Sequence, residues 1–141
     1  MSMDIRTAMA AVLVEVVVAA TLQGATVTPW KSLQSLLNAG GTVRLENDVT
    51  VTAESDATLT VTNAVTLDLN GHTLDANGRF NVIKIASGGN LTLTNSFEGA
   101  GAITGGSDSH GGGVYIGGGM FTMTGGTISG NTSVQSSRRF T

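Results

Sequence analysis

The chain contains no cysteine among its 141 residues. Disulfides and thiolate metal sites are therefore excluded, and redox chemistry says nothing about the compartment. Charge is scarce: Asp, Glu, Lys and Arg make up 12% of the residues, about half the share of an ordinary globular domain. No basic excess exists either. The formal net charge of −3 argues against a nucleic-acid partner, which needs a concentrated basic face. Long hydrophobic runs are missing as well. The apolar stretch from Ala8 to Ala20 is interrupted by Glu15 and is too short for a transmembrane span.

Glycine and threonine are abundant, with 20 of each, and 17 of the glycines fall between Gly71 and Gly130. Disorder would explain the glycine but not the regularly spaced Val, Ile and Leu that accompany it. Three segments, 59–74, 83–103 and 114–128, repeat one pattern: an alternating apolar/polar triplet, a turn, a second triplet and a third short strand. The matching positions Leu69, Leu93 and Met123, then Val61, Ile85 and Ile116, then Leu74, Ile103 and Ile128, recur every 24 to 31 residues. A repeat of that length built from strands predicts coils stacked in a solenoid. Val43, Leu45, Val49 and Val51 supply a first, less regular coil, making about four in all. Asn70-Gly71, Ser87-Gly88-Gly89-Asn90, Gly117-Gly118-Gly119, Gly125-Gly126 and Gly130-Asn131 read as the turns, because Gly and Asn tolerate positive φ.

Before the first coil, residues 29–38 read as a short capping helix. Thr28 can cap it, Pro29 suits its first position, and Gly40-Gly41 can end it. Trp30, Leu33 and Leu37 share one face, with Leu36 at its margin. A solenoid end exposes apolar side chains and unpaired edges, so such a helix makes a sensible plug. Two readings fit the N-terminal segment 1–27: a degenerate signal peptide, or a Val-rich strand or helix covering the first coil. Loops at 97–101 and 107–113 leave the regular scaffold, where binding features are most at home. After Asn131 the pattern stops, and 133–141 reads as an irregular tail. The expectation is a fragment of a longer protein, or an interrupted frame, whose last coil around Phe121–Ile128 is open and invites self-association.

The strings LDLNGHTLD (67–75), GGGVYI (111–116) and GGTISGNT (125–132) resemble the right-handed parallel β-helix of the pectin-lyase-like superfamily. More narrowly, they resemble repeats of bacterial surface and adhesin-like proteins, including chlamydial polymorphic membrane proteins. The resemblance covers residues 28–132 and implies an all-β, right-handed parallel β-helix. It leaves activity open, since the superfamily holds pectinases, lyases, phage tailspikes and adhesins. Its members usually carry many more coils.

Pectate lyases of this superfamily hold calcium with acidic residues stacked on adjacent coils and use an arginine as base. Calcium takes six to eight oxygens. With Leu69 over Leu93, Asp68 is expected to stack on Thr92 and then Thr122, so no acidic ladder forms and Asp68 reads as a solvated face residue. Asp75 is in register with Thr104 and Ser129, while Arg79 and Lys84 read as isolated. The paired Asp-Asp and Asn-Thr-Asp strings of polygalacturonase-type sites do not occur. His72 is expected to pack its ring against the next coil, whereas His110 beside Asp108 in SDSHGGG is a candidate ligand or metal contact. No nucleophile elbow, G-x-G-x-x-G before a helix, or tandem calcium nonapeptide is present.

Outward Thr-x-Thr pairs, above all Thr92/Thr94 and Thr122/Thr124, resemble the threonine ladders of ice-binding solenoids. In the expected register Asp68 and Asn70 interrupt that column. The sequence thus leads to a non-catalytic, secreted or cell-surface β-helix module, adhesin-like, without a cofactor. It would contact glycans or proteins through its outward Thr/Asn/Ser faces and the 97–113 loops. The alternatives are a remnant of a polysaccharide lyase or hydrolase, and an ice-binding solenoid.

Overall fold

The computed structural model describes residues 14–16 and 28–133, and its helix α1 (Pro29–Ala39) starts and stops where local chemistry dictates. The Thr28 hydroxyl accepts the Lys31 N–H at 3.1 Å, Pro29 opens the first turn, and Gly40, at φ 81°, ends the helix while its N–H donates to the Leu37 carbonyl. Trp30, Leu33 and Leu37 are fully buried, with Leu36 partly buried beside them. The expected apolar face is therefore the face that packs on the coils.

Among the described residues, fourteen short strands precede or follow the helix. They are β1 (Val14–Val16), β2 (Gly41–Leu45), β3 (Val49–Thr50), β4 (Leu59–Val61), β5 (Ala64–Asp68), β6 (Thr73–Asp75) and β7 (Ile83–Ile85). Then come β8 (Asn90–Thr94), β9 (Ala102–Thr104), β10 (Ser107–Asp108), β11 (Val114–Ile116), β12 (Met120–Met123), β13 (Thr127–Ile128) and β14 (Thr132–Ser133). Each main coil lays one strand on each of three sheets. The first sheet runs β1-β2-β5-β8-β12, the second β3-β6-β9-β13 and the third β4-β7-β11. Every described pairing is parallel. The protein is a parallel β-solenoid of about four turns with one short helix on its N-terminal side.

Two of the three expected registers hold. Val61, Ile85 and Ile116 stack, as do Leu74, Ile103 and Ile128. The third is displaced by two residues: Leu67, and not Leu69, pairs with Leu93, which in turn pairs with Met123. Asp68 therefore lies between Arg44 and Thr94 instead of on Thr92. Leu69 still points inward and is fully buried, at the bend that follows β5.

Within the coils the inward column side chains are buried, including Val43, Leu67 and Leu93 in the first sheet. Turn residues stitch coil to coil. Asn70, at φ 50° before Gly71, donates its side-chain amide to the Leu45 carbonyl at 3.0 Å. Asn95 Oδ1 accepts the Gly71 N–H at 2.7 Å, and Asn131 Oδ1 accepts that of Gly106 at 2.8 Å. His72 differs from expectation. Its Nδ1 stands 3.3 Å from Asp48 Oδ1 on the preceding coil, so a polar contact replaces the predicted ring packing.

The two ends differ. At the N-terminal end α1 covers the core, and β1 pairs with β2. At the other end the inward positions of the last coil stay open, with Ile116 49% and Met123 42% exposed where Ile85 and Leu93 are 0%. The pattern also extends slightly past Asn131, because Thr132–Ser133 pairs with Ser107–Asp108. The signal-peptide reading and the tail beyond Ser133 lie outside the described residues.

Candidate functional site

The seven residues singled out from the sequence fall in two places. Asp68, Thr92, Thr94, Thr122 and Thr124 lie along the first sheet, whereas Asp108 ends β10 and His110 lies in the connection from β10 to β11. The corrected register rearranges the first group. Thr42, Thr66, Thr92 and Thr122 form one outward column across all four coils, without interruption. The adjacent column reads Arg44, Asp68, Thr94, so threonine enters it only at the third coil. Thr124 follows β12, where its N–H and hydroxyl both reach the Leu93 carbonyl, at 2.8 and 3.3 Å. A shallow depression of about 260 Å³ runs along this face, lined by Thr42, Thr66, Asn90 and Thr92 with the neighbouring backbone.

Asp68 is a structural residue. It is buried, and its Oδ1 accepts the N–H groups of Asn70 at 2.9 Å and Ser96 at 2.8 Å, while Arg44 Nε approaches Oδ2 at 3.4 Å. Burial pushes its carboxyl up, but the donors from Ser96, Asn70 and Arg44 outweigh that and hold it below the usual carboxylate range. A carboxylate so occupied has little left to offer a ligand.

The second place is a true convergence. Stacking of β4, β7 and β11 puts Thr60, Lys84 and Tyr115 in one outward column. The 105–113 loop folds over it and brings up Asp108 and His110, and Thr58 and Asn81 complete an open depression of about 480 Å³. Lys84 Nζ lies 5.9 Å from the Tyr115 ring centre, and the His110 ring lies 5.1 Å from it. Asp108 Oδ1 accepts the His110 N–H at 3.0 Å and stands 3.5 Å from its Nδ1. That backbone donor, with the ring beside it, holds the Asp108 carboxyl below its ordinary range. Asn81 is buried, and its Oδ1 accepts the Thr58 hydroxyl at 2.7 Å. The depression thus gathers an ammonium, a carboxylate, an imidazole, a phenol, a carboxamide and a hydroxyl around one aromatic ring.

Sequence reasoning found Asp108 and His110 but left Lys84 as an isolated cation and did not weigh Tyr115 or Asn81. The signal was present. Aligning Val61, Ile85 and Ile116 also aligns the residues before them, Thr60, Lys84 and Tyr115.

Among the described residues no three His, Asp or Glu side chains come together as a metal site. No helix among them is long and apolar enough to cross a membrane. No family model matches the chain, and no curated protein or solved structure matches it either.

Proposed function

We propose that the chain is a non-catalytic β-solenoid binding module of the secreted or cell-surface, adhesin-like kind, and that it binds a saccharide in the depression around Tyr115. One observation carries this reading. Six polar or aromatic side chains from three successive coils and a loop converge on one open concavity. A saccharide presents both C–H faces and hydroxyls, and it suits an aromatic ring ringed by mixed donors and acceptors. The resemblance of GGTISGNT (125–132) to adhesin-like repeats points the same way.

The test is a titration of isotope-labelled protein with neutral and uronate-containing oligosaccharides, followed by NMR. Shifts should cluster at Lys84, His110 and Tyr115, and Tyr115→Ala should weaken binding by about tenfold or more, which is about 1.4 kcal/mol. Absence of shifts with every sugar would sink the proposal. Cleavage of the added oligosaccharides would instead favour the lyase or hydrolase reading.

The four-threonine column supports a second reading, an ice-binding face. Its hydroxyls repeat at the strand spacing of about 4.8 Å. Arg44 and Asp68 occupy the neighbouring column where a flat two-column face needs threonine. Thermal hysteresis that vanishes in Thr66→Tyr would establish this reading, and normal freezing of the wild-type solution would remove it.

A further inference from the structure

Resting on the reading of the Tyr115 depression as a binding site, we infer that Asn131 is its positioning residue. Asn131 clasps the 105–113 loop and so fixes Asp108 and His110 against the Tyr115 ring. It is not itself among the residues that line the depression. Its carboxamide sits in the turn after β13, and its hydrogen bonds among the described residues all go to backbone. Oδ1 accepts the Gly106 N–H at 2.8 Å, and Nδ2 donates to the carbonyls of Ile103 at 3.1 Å and Ser129 at 3.0 Å. One atom thus grips the loop, while the other is anchored to the preceding coil and to its own turn.

Glycine lets the clasp close. The two arms of the loop meet at Gly106 and Gly112, so near each other that a Cβ on Gly106 would run into the Gly112 carbonyl. A Cβ on Gly112 would meet the backbone of Thr132. The arms are also held from both sides. On the preceding coil, the Phe80 carbonyl accepts the Ser107 N–H at 2.9 Å, and the Val82 and Ile83 N–H groups donate to the Gly112 and Gly113 carbonyls at 3.0 Å. From the next turn, the Thr132 N–H donates to the Gly106 carbonyl at 2.9 Å, and β14 pairs with β10.

Beyond this neck the loop carries Asp108 and His110, tied together by the His110 N–H at 3.0 Å from Asp108 Oδ1. The neck therefore decides where the His110 ring lies, with its centre 5.1 Å from that of Tyr115. A site whose groups are already in place loses less conformational freedom when it binds. Without the Asn131 carboxamide the Gly106 N–H loses its side-chain acceptor, and a ligand must then order the loop itself. Asn95 supplies the comparison. Its Oδ1 accepts the Gly71 N–H at 2.7 Å in the same manner, at a corner that does not line the depression.

NMR of the labelled full chain, without and then with sugar, tests this. Asn131→Ala should lose the nuclear Overhauser contacts between the His110 and Tyr115 rings, while amide protection across β5 and β8 stays as in wild type. It should also weaken, by about tenfold, the binding of whichever oligosaccharide shifts Lys84, His110 and Tyr115 in wild type. Asn95→Ala should keep both the ring contacts and the affinity. The wild type needs no variant to be informative: its Gly106 amide should exchange slowly with solvent. A freely exchanging Gly106 amide, ring contacts or affinity unchanged in Asn131→Ala, or equal losses in Asn95→Ala would each overturn the inference. A wild type that binds no sugar sinks the saccharide reading alone, because the ring contacts and the Gly106 exchange are read without ligand.

Discussion

Gln34 and Thr60 are joined as two strands would be: Gln34 Oε1 accepts the Thr60 N–H at 2.8 Å, and Gln34 Nε2 donates to the Thr60 carbonyl at 2.9 Å. A side-chain carboxamide has the same donor and acceptor as a peptide group, so one helical residue stands in for the strand missing from the third sheet on the first coil. Replacing Gln34 by Ala orphans both groups. The expected cost is about 1–2 kcal/mol, read as a lower urea midpoint with unchanged slope. Gln34→Glu keeps the acceptor but loses the donor, and it should recover only part of that loss.

Asp56 anchors the other side of the cap. It accepts the Thr28 hydroxyl at 2.7 Å, Lys31 Nζ at 3.0 Å and the N–H groups of Thr52 and Ala53 at 3.0 and 3.1 Å. Burial pushes its carboxyl up, yet the donors from Ala53, Thr28, Lys31 and Thr52 prevail and hold its pKa below the ordinary value. A carboxylate with a depressed folded pKa stabilises the fold above its unfolded pKa, about 3.9, and loses that contribution as pH falls through the folded value. Asp56→Asn should thus be less stable than wild type by about 1–3 kcal/mol at pH 6. The gap should close only below about pH 4, as urea titrations at several pH values would show. A gap that stays constant down to full protonation would remove this account.

Coil spacing is policed by glycine at close approaches. A Cβ on Gly119 would collide with the Gly89 carbonyl, the Ala86 carbonyl and the Ile85 side chain of the coil beneath. Gly119→Ala should cost about 2–3 kcal/mol. Gly78 has φ 77° but open space around it, so Gly78→Ala should cost only about 1 kcal/mol of backbone strain. Thermal melts of the two variants should therefore rank in that order.

Leu67, Leu93 and Met123 share one column, yet their truncation should not cost the same. Leu93→Ala removes a side chain with 0% exposure and should cost about 3 kcal/mol. Met123→Ala, at 42% exposure, should cost about 1 kcal/mol or less in dilute solution. Equal losses measured by urea unfolding of the dilute protein would mean that the last coil is covered within the chain.

Much of the architecture was legible in the sequence because it rests on local rules. The helix followed from Thr28, Pro29 and Gly40 with the Trp30, Leu33 and Leu37 stripe, and the turns followed from Asn-Gly and Gly-Gly pairs. The misjudged register has a physical cause. A slip by one residue flips every side chain and is easily detected, but a slip by two leaves inward residues inward. Leu67 and Leu69 are both apolar and both buried, so alternation cannot choose between them as the partner of Leu93. The error concealed the four-threonine column and attached Asp68 to the wrong neighbours. The depression around Tyr115 was hidden for another reason: Thr58, Asn81, Lys84, Asp108 and Tyr115 meet only when three coils and a loop are in place. Nothing in the sequence near Gln34 announces that its amide will complete a sheet.

The helix at the N-terminal end also bears on the order in which the molecule is made. Residues 29–39 leave the ribosome before any of the later coils, and each parallel pairing joins a coil to the one synthesised just before it. At about 5–20 residues per second, each new coil of about 24 to 31 residues takes about 1 to 6 seconds to emerge. It meets a finished edge on which to lay its strands. The cap is then a foundation from which the solenoid is laid course by course, and no strand must search a long chain for its partner.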